Sequence, residues 1–261
     1  MSSEKYELEC VLDFSDWVGD WIVDGGKVYI RQNEYDGTHK ILCREEVLFS
    51  GHMYGWQVDS GKVYVCQRQI DGTHKIFCGE EVLYSGRFGI WLVYGGKAYV
   101  SQRQNDGTHK ILCREEVLFS GHMYGWRVDG GKVYIQQKEY DGTWKIFCGE
   151  EVLYSGPFGF WLVYGGKVYV CQRQKDGTHK ILCGEEVLFS GRMNSWRVDG
   201  GKVYVRQKEN GETYKIICGR KKVFSGRFLE WAVVGGTLYV MKKESGIYRF
   251  FRLVDRLAPA V

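Results

Sequence analysis

Apolar and polar residues alternate with a period of two in short runs along the chain, as in Lys27-Val28-Tyr29-Ile30-Arg31-Gln32 and His39-Lys40-Ile41-Leu42-Cys43. With β-branched and aromatic residues abundant in those runs, the pattern predicts strands. Turn signals separate them at fixed offsets: Asp24-Gly25-Gly26, then Asp36-Gly37, then Arg44-Glu45 or the Gly79-Glu80 type. Asp-Gly and Gly-Gly suit two-residue hairpin loops because they accept positive φ. The spacing therefore predicts strands over 21–23, 27–32, 38–43 and 46–50. No segment shows a 3.6-residue apolar period, and Gly recurs every few residues, which argues against helix.

This four-strand pattern repeats. Trp21, Trp56, Trp91, Trp126, Trp161, Trp196 and Trp231 stand 35 residues apart, and six complete units tile residues 21–230 without insertion or deletion. The run from Asp36 to Trp56 is identical to the run from Asp106 to Trp126, and the second unit resembles the fourth, so a 70-residue pair is the duplicated object. Both faces of the strands carry apolar side chains: Val28 and Ile30 on one, Tyr29 on the other. Meanders stacked face to face bury both, and closing the stack removes its bare ends. The fold class expected is all-β: a seven-bladed β-propeller of four-stranded antiparallel 35-residue blades forming a single domain over residues 1–261.

The ends of the chain bear on that count. Residues 231–257 supply three strands of a last blade, and residues 6–15 supply its fourth, because Ser15 lies six residues before Trp21 as Ser50 does before Trp56. Such closure protects sheet edges that an open array would expose. An open solenoid, the alternative, gives no reason for a repeat split between the termini.

Composition narrows the partners. A formal charge of +4, from 36 Lys and Arg against 32 Asp and Glu, offers no basic face for nucleic acid. The start Met1-Ser2-Ser3-Glu4-Lys5 has no apolar signal core, and no stretch is long enough to insert in a membrane. A cytoplasmic protein is expected, with non-classical release as an option. Six of the nine cysteines, Cys43, Cys78, Cys113, Cys148, Cys183 and Cys218, share one repeat position. Neighbouring copies would sit roughly 10 Å apart, beyond the disulfide limit of about 7 Å. They are expected to be buried free thiols, and no CxxC pair or Cys/His cluster suggests zinc.

The repeated Trp and the Tyr29 series read as packing between blades, with the Gln32 position as partner for the buried hydroxyls. The Glu45-Glu46 type of pair reads as solvated turn residues, since the sixth unit carries Lys221-Lys222 instead. The Asp-Gly-Thr-His hairpin is different. Turn chemistry accounts for Asp36, Gly37 and Thr38 but not for His39, His74, His109 and His179, replaced by Trp144 and Tyr214 in two units. Planar side chains with polar edges on an expected exposed hairpin suit stacking against a ligand. The loop between units falls on the same face and adds Tyr54, Tyr124, Arg87, Arg192 and Arg227. These ten residues are the candidate ligand-binding set. No nucleophile motif, phosphate loop or HExxH occurs, and near-identical blades argue against a one-site enzyme; no catalytic residue, metal or cofactor is expected.

Gly-rich, Trp-bearing units such as WLVYGGKVYVCQRQKDGTHKILCGEEVLFSG, repeated through the whole chain, resemble in architecture the tandem-repeat β-propeller lectins of the tachylectin and tectonin kind. The period of 35 is shorter than the tachylectin repeat, and no binding residue carries over. The resemblance implies a multivalent binder of glycans or glycoproteins, several weak sites acting together through effective concentration. The alternatives are a cytosolic scaffold for a protein partner and a repeat designed or selected for symmetry without a ligand.

Overall fold

A computed structural model describes residues 6–14 and 18–255, and every regular element in them is a β-strand. In chain order these are β1 (Tyr6–Phe14), β2 (Val18–Asp24), β3 (Lys27–Asn33), β4 (His39–Cys43) and β5 (Glu46–Gly51). There follow β6 (Gly55–Asp59), β7 (Lys62–Arg68), β8 (His74–Cys78), β9 (Glu81–Gly86), β10 (Trp91–Tyr94), β11 (Lys97–Arg103), β12 (His109–Cys113) and β13 (Glu116–Gly121). The next eight are β14 (Gly125–Asp129), β15 (Lys132–Lys138), β16 (Trp144–Cys148), β17 (Glu151–Gly156), β18 (Phe160–Tyr164), β19 (Lys167–Arg173), β20 (His179–Cys183) and β21 (Glu186–Gly191). The last are β22 (Ser195–Asp199), β23 (Lys202–Lys208), β24 (Tyr214–Cys218), β25 (Lys221–Gly226), β26 (Glu230–Val234), β27 (Thr237–Glu244) and β28 (Ile247–Asp255).

They pair into seven four-stranded antiparallel sheets, the blades of a β-propeller. Blades 1 to 6 are consecutive meanders starting at β2, β6, β10, β14, β18 and β22, and the seventh has the order β1-β28-β27-β26. The chain divides into two compact units, Met1–His52 with Met193–Val261, and Met53–Arg192. Blades 6, 7 and 1 belong to the first; blades 2 to 5 belong to the second.

Turn chemistry sets each meander. Gly25 and Gly26 have φ of 54° and 76°, the two positive values a type I′ hairpin needs. The third turn of blade 1 has a positive φ only at its first central residue, Arg44 at 57°, a type II′ pattern in which Gly79, Gly149, Gly184 and Gly219 hold the same place in other blades. A β-bulge recurs in every outer strand: Ile41 pairs with Phe49 and Leu42 with Val47, which leaves Leu48 as the extra residue. Bulges of this kind blunt exposed edges.

The core lies between blades. Ile146 and Tyr134 of blade 4, 0% and 2% exposed, pack with Trp161, Val168 and Val170 of blade 5. Burial also bears out the reading of the repeated tryptophans as core: all are buried except Trp21, which is half-buried. Three indole N–H groups reach the preceding blade: Trp21 donates to Glu230, Trp161 to Gln136 and Trp231 to Ser195 at 2.9, 2.9 and 3.0 Å. Trp126 Nε1 is buried without an acceptor, because blade 3 offers only Ile90 and the short Ser101 at those two places.

One sequence reading is narrowed here and one corrected. At the Gln32 position, Gln102 and Gln172 donate to Tyr84 and Tyr154 of the preceding blade at 2.8 Å each, not to the Tyr29 series. The buried hydroxyl of Tyr64 finds the Cys78 thiol directly across β7 and β8. Burial pushes the Tyr64 phenol up to about 12, with Cys78 adding to the shift. The repeated cysteines are accordingly half-buried partners of tyrosine, with only Cys113 fully buried in that series; Cys66 and Cys171, at a different repeat position, are the other buried thiols. All nine are free.

The fourth strand of blade 7 is β1, as expected, but its register differs. Asp13 lies opposite Arg249, the place Ser50 holds opposite Lys40, so Asp13 and not Ser15 matches the repeat. Ser15 and residues 256–257, assigned above to this blade, lie outside the described residues. Val11 takes the bulge position of Leu48, and Arg252 faces Glu9 where Cys43 faces Glu46. Charge explains the choice: Arg252 donates to Glu9 through Nε and Nη2 at 2.7 and 3.1 Å, and Arg249 lies 3.4 Å from Asp13. A bulge at Gly19 in the lengthened β2 takes up one residue of this two-residue offset.

Neighbouring blades are also latched at their first turns. Asp59 and Asp129 accept from Gly96 and Gly166 at 2.9 and 2.7 Å, and Asp199 accepts from both Gly235 and Gly236. Asp199 is 7% exposed. Asp199→Ala should therefore cost about 2 kcal/mol in urea unfolding, since two charge-assisted bonds to one buried carboxylate are lost. Asp59→Ala, with one exposed bond, should cost about half that; equal losses at the two sites would contradict the burial argument.

Candidate functional site

In blades 1 to 5 the hairpin joining the second and third strands closes through its aspartate. Asp36 Oδ1 accepts from the Thr38 backbone N–H at 2.9 Å and from its hydroxyl at 2.6 Å, and Asp71, Asp106 and Asp176 do the same with Thr73, Thr108 and Thr178. Near each carboxylate stands a basic residue from the loop between blades: His52 for Asp36, Arg87 for Asp71, His122 for Asp106 and Arg192 for Asp176. In blade 6 the pair becomes Glu212 and Arg227, 3.6 Å apart. Arg87, Arg192 and Arg227 are thus brought to the rim, each beside an acidic residue that spacing along the chain did not single out.

Hydrogen bonds to threonine hold these aspartates below their ordinary value of 3.8. Asp141 is lowered as well, first by the Thr143 amide. Because the folded-state value is depressed, the stabilisation is complete above 3.8 and disappears as pH falls through the lower folded values. The urea midpoint should therefore drop as pH falls below 3.8. In a variant with all five aspartates changed to Asn, that drop should shrink; an unchanged profile would place the acid sensitivity elsewhere.

The histidines stand one step deeper than expected. They open the third strand of their blades and are half-buried, not hairpin-exposed, because the preceding Asp-Gly-Thr turn folds out beyond them. In blade 2, His74 lies between Tyr54 and Phe88, with ring centroids 5.0 and 5.1 Å away, and Phe88 meets Tyr84 at 5.5 Å. Blade 4 repeats the ladder with Tyr124, Trp144, Phe158 and Tyr154 at 5.1, 6.0 and 5.5 Å, and Lys138 sits over the Trp144 ring. Blade 6 keeps Tyr214, Phe228 and Phe224, with Arg206 stacked 3.8 Å over Tyr214. At its outer end it has Asn194 in place of the tyrosine.

The other histidines join no such ladder. His39 Nδ1 lies 2.8 Å from Asn33 Oδ1, with burial and then Arg31 keeping the imidazole below its usual range. His109 Nδ1 approaches Ser101 Oγ at 3.4 Å, and His179 Nδ1 is buried without a hydrogen bond. The uniform ring of sites expected from the repeat is therefore resolved into ladders on alternate blades, 70 residues apart. Each ladder ends in an exposed ring in blades 2 and 4, where Tyr54 and Tyr124 are 62% and 68% accessible. The hairpin tips add Tyr35, Ile70 and Tyr140, all fully exposed, at a position where blades 3 and 5 carry Asn105 and Lys175. Among the described residues no group of three His, Cys, Asp or Glu side chains is arranged to hold a metal ion, and no helix is long and apolar enough to cross a membrane.

No protein-family model and no curated protein matches the chain. Solved structures do. The chain is similar to BamB from Moraxella catarrhalis, with a TM-score of 0.51 and 12% identity over 92% of this chain and 85% of that one. It is similar to the computationally designed Ika8 protein, at 0.53 and 15% over 95% and 86%. It is also similar to BBS1N, solved in complex with ARL6DN, at 0.55 and 11% over 96% and 98%. At such low identity the likeness shows the fold alone, the β-propeller that the seven four-stranded sheets already display.

Proposed function

We propose that the protein is a multivalent carbohydrate binder whose sites are the aromatic ladders of blades 2 and 4. The observation that carries this reading is the pair of outward rings, Tyr54 and Tyr124, the first in a tilted contact with His74 and the second edge-on to Trp144. An exposed ring braced by an aromatic neighbour offers a free face to the apolar face of a sugar at little entropic cost. The hairpin that leads into His74 carries Asp71, which with the nearby Arg87 would supply an acceptor and a donor for hydroxyl groups. A glycan array identifies the sugar, and calorimetry then counts about two sites per chain. Tyr54→Ala should remove one site and the double variant with Tyr124→Ala both. Silence across the array would sink the reading.

A second reading is a protein-interaction scaffold. It is favoured by the hairpin tips: among nearly identical blades, the most exposed position changes from Tyr35 to Ile70, Asn105, Tyr140 and Lys175. Surface that varies on a constant frame suits one partner of irregular shape. BBS1N, a propeller of similar fold, was solved in complex with ARL6DN. A partner recovered by the intact protein and lost on Tyr35→Ser, Ile70→Ser and Tyr140→Ser together would favour this over the glycan.

A further inference from the structure

We propose that the junction of blades 7 and 1 holds a binding site for a small amphiphilic anion, a carboxylate or phosphate monoester on a short apolar chain. The cavity has a volume of about 260 Å³ and is lined by Glu9, Cys10, Val11, Leu12, Lys27, Arg44 and Arg252, with Gly26 and Val28. A second cavity of about 500 Å³ shares Val11, Leu12 and Arg44 with it and ends at Glu45 and Glu46. These sizes lie near and within the roughly 300–1,000 Å³ of small-molecule sites. It opens on the first and third turns of blade 1, at the ends of the strands opposite the Asp-bearing hairpin, and is independent of the proposed glycan sites.

Its existence follows from the irregular seventh blade. Leu12 stands where the repeats have Phe49 or Tyr84, Cys10 where they have Val47, and Arg252 where they have Cys43. The smaller Leu12 opens space and Arg252 brings charge into it. Three cations line the first cavity against one carboxylate, Glu9, which two bonds from Arg252 already engage. Lys27 and Arg44 form no ion pair among the described residues. A single anionic group bound between them would complete the charge, with Val11 and Leu12 as an apolar floor for its tail. Glu45 and Glu46 at the far end exclude a second anionic group there.

Arg44 also supplies a control. Its φ of 57° occupies a turn position that blades 2, 4, 5 and 6 give to Gly and blade 3 gives to Arg114. That makes the test clean, because Arg44→Gly restores the repeat's own turn and keeps the fold. Calorimetry on the full chain would compare hexanoate, hexyl phosphate and neutral hexanol. The expected result is saturable binding of one anion per chain, the better of the two identifying the headgroup. Arg44→Gly should weaken it by about tenfold or more, and Arg114→Gly, the same turn in blade 3, should not. The proposal is overturned if neither anion binds saturably, if hexanol binds as well, if Arg44→Gly binds like the parent, or if Arg114→Gly loses as much.

Discussion

Deletion of residues 1–14 is expected to abolish the cooperative urea unfolding transition. The loss exceeds a row of backbone bonds, because Val11, Leu12 and Phe14 pack on a cluster of Val18, Val28, Ile30, Tyr239, Met241 and Phe250. A fully buried apolar side chain contributes roughly 1.5–3 kcal/mol, and these three are partly buried. Even half of that from each is a sizeable part of the roughly 5–15 kcal/mol by which a domain is stable. The ion pairs of Glu9 and Asp13 go as well, and β28 becomes an unpaired edge. Tryptophan fluorescence against urea reads the transition. A peptide of residues 1–14 added in excess should restore it in a concentration-dependent way, as binding to the folded state requires. A truncated chain that unfolds as sharply and at the same midpoint as the parent would show that β1 is dispensable.

Trp161→Ala carries the second large effect, a loss of about 4 kcal/mol, because a side chain 4% exposed leaves a cavity between blades 4 and 5. A finer comparison separates packing from hydrogen bonding. Trp161 donates to Gln136 and lies under the Arg127 guanidinium at 5.7 Å, whereas Trp126 Nε1 has no partner. Trp161→Phe should therefore be worse than Trp126→Phe by about 1 kcal/mol. Equal costs would mean that the bond to Gln136 contributes nothing net.

The blades were legible because their determinants are local. Alternation, Gly-Gly and Asp-Gly turns and the recurring Trp all act within one 35-residue unit, and each agrees with the others. The register of β1 was not. Matching Ser15 to Ser50 by its distance from Trp repeats a spacing, while the pairing answers to Arg249 and Arg252, far along the chain. The candidate site was half legible. His, Trp and Tyr at one repeat position were visible, and so was the 70-residue duplication, but which rings stack is decided by Phe88 and Phe158 against Met53 and Met123 in the linkers. The aspartates that latch neighbouring blades looked like ordinary turn residues. Their partners are amides 36 or 37 residues on, a contact that no short window contains.

The pairing of β1 with β28 also sets an order in time. Glu9 and Arg252 are 243 residues apart. At roughly 5–20 residues per second, translation leaves about 12–50 s between the appearance of one strand and the other. Throughout that interval β1 has apolar side chains and no sheet, while six blades that need only local contacts can form behind it. The nascent chain thus carries a waiting segment that a chaperone or a neighbouring chain's β28 could capture, and exchange of this strand is the assembly error to which the architecture is most open.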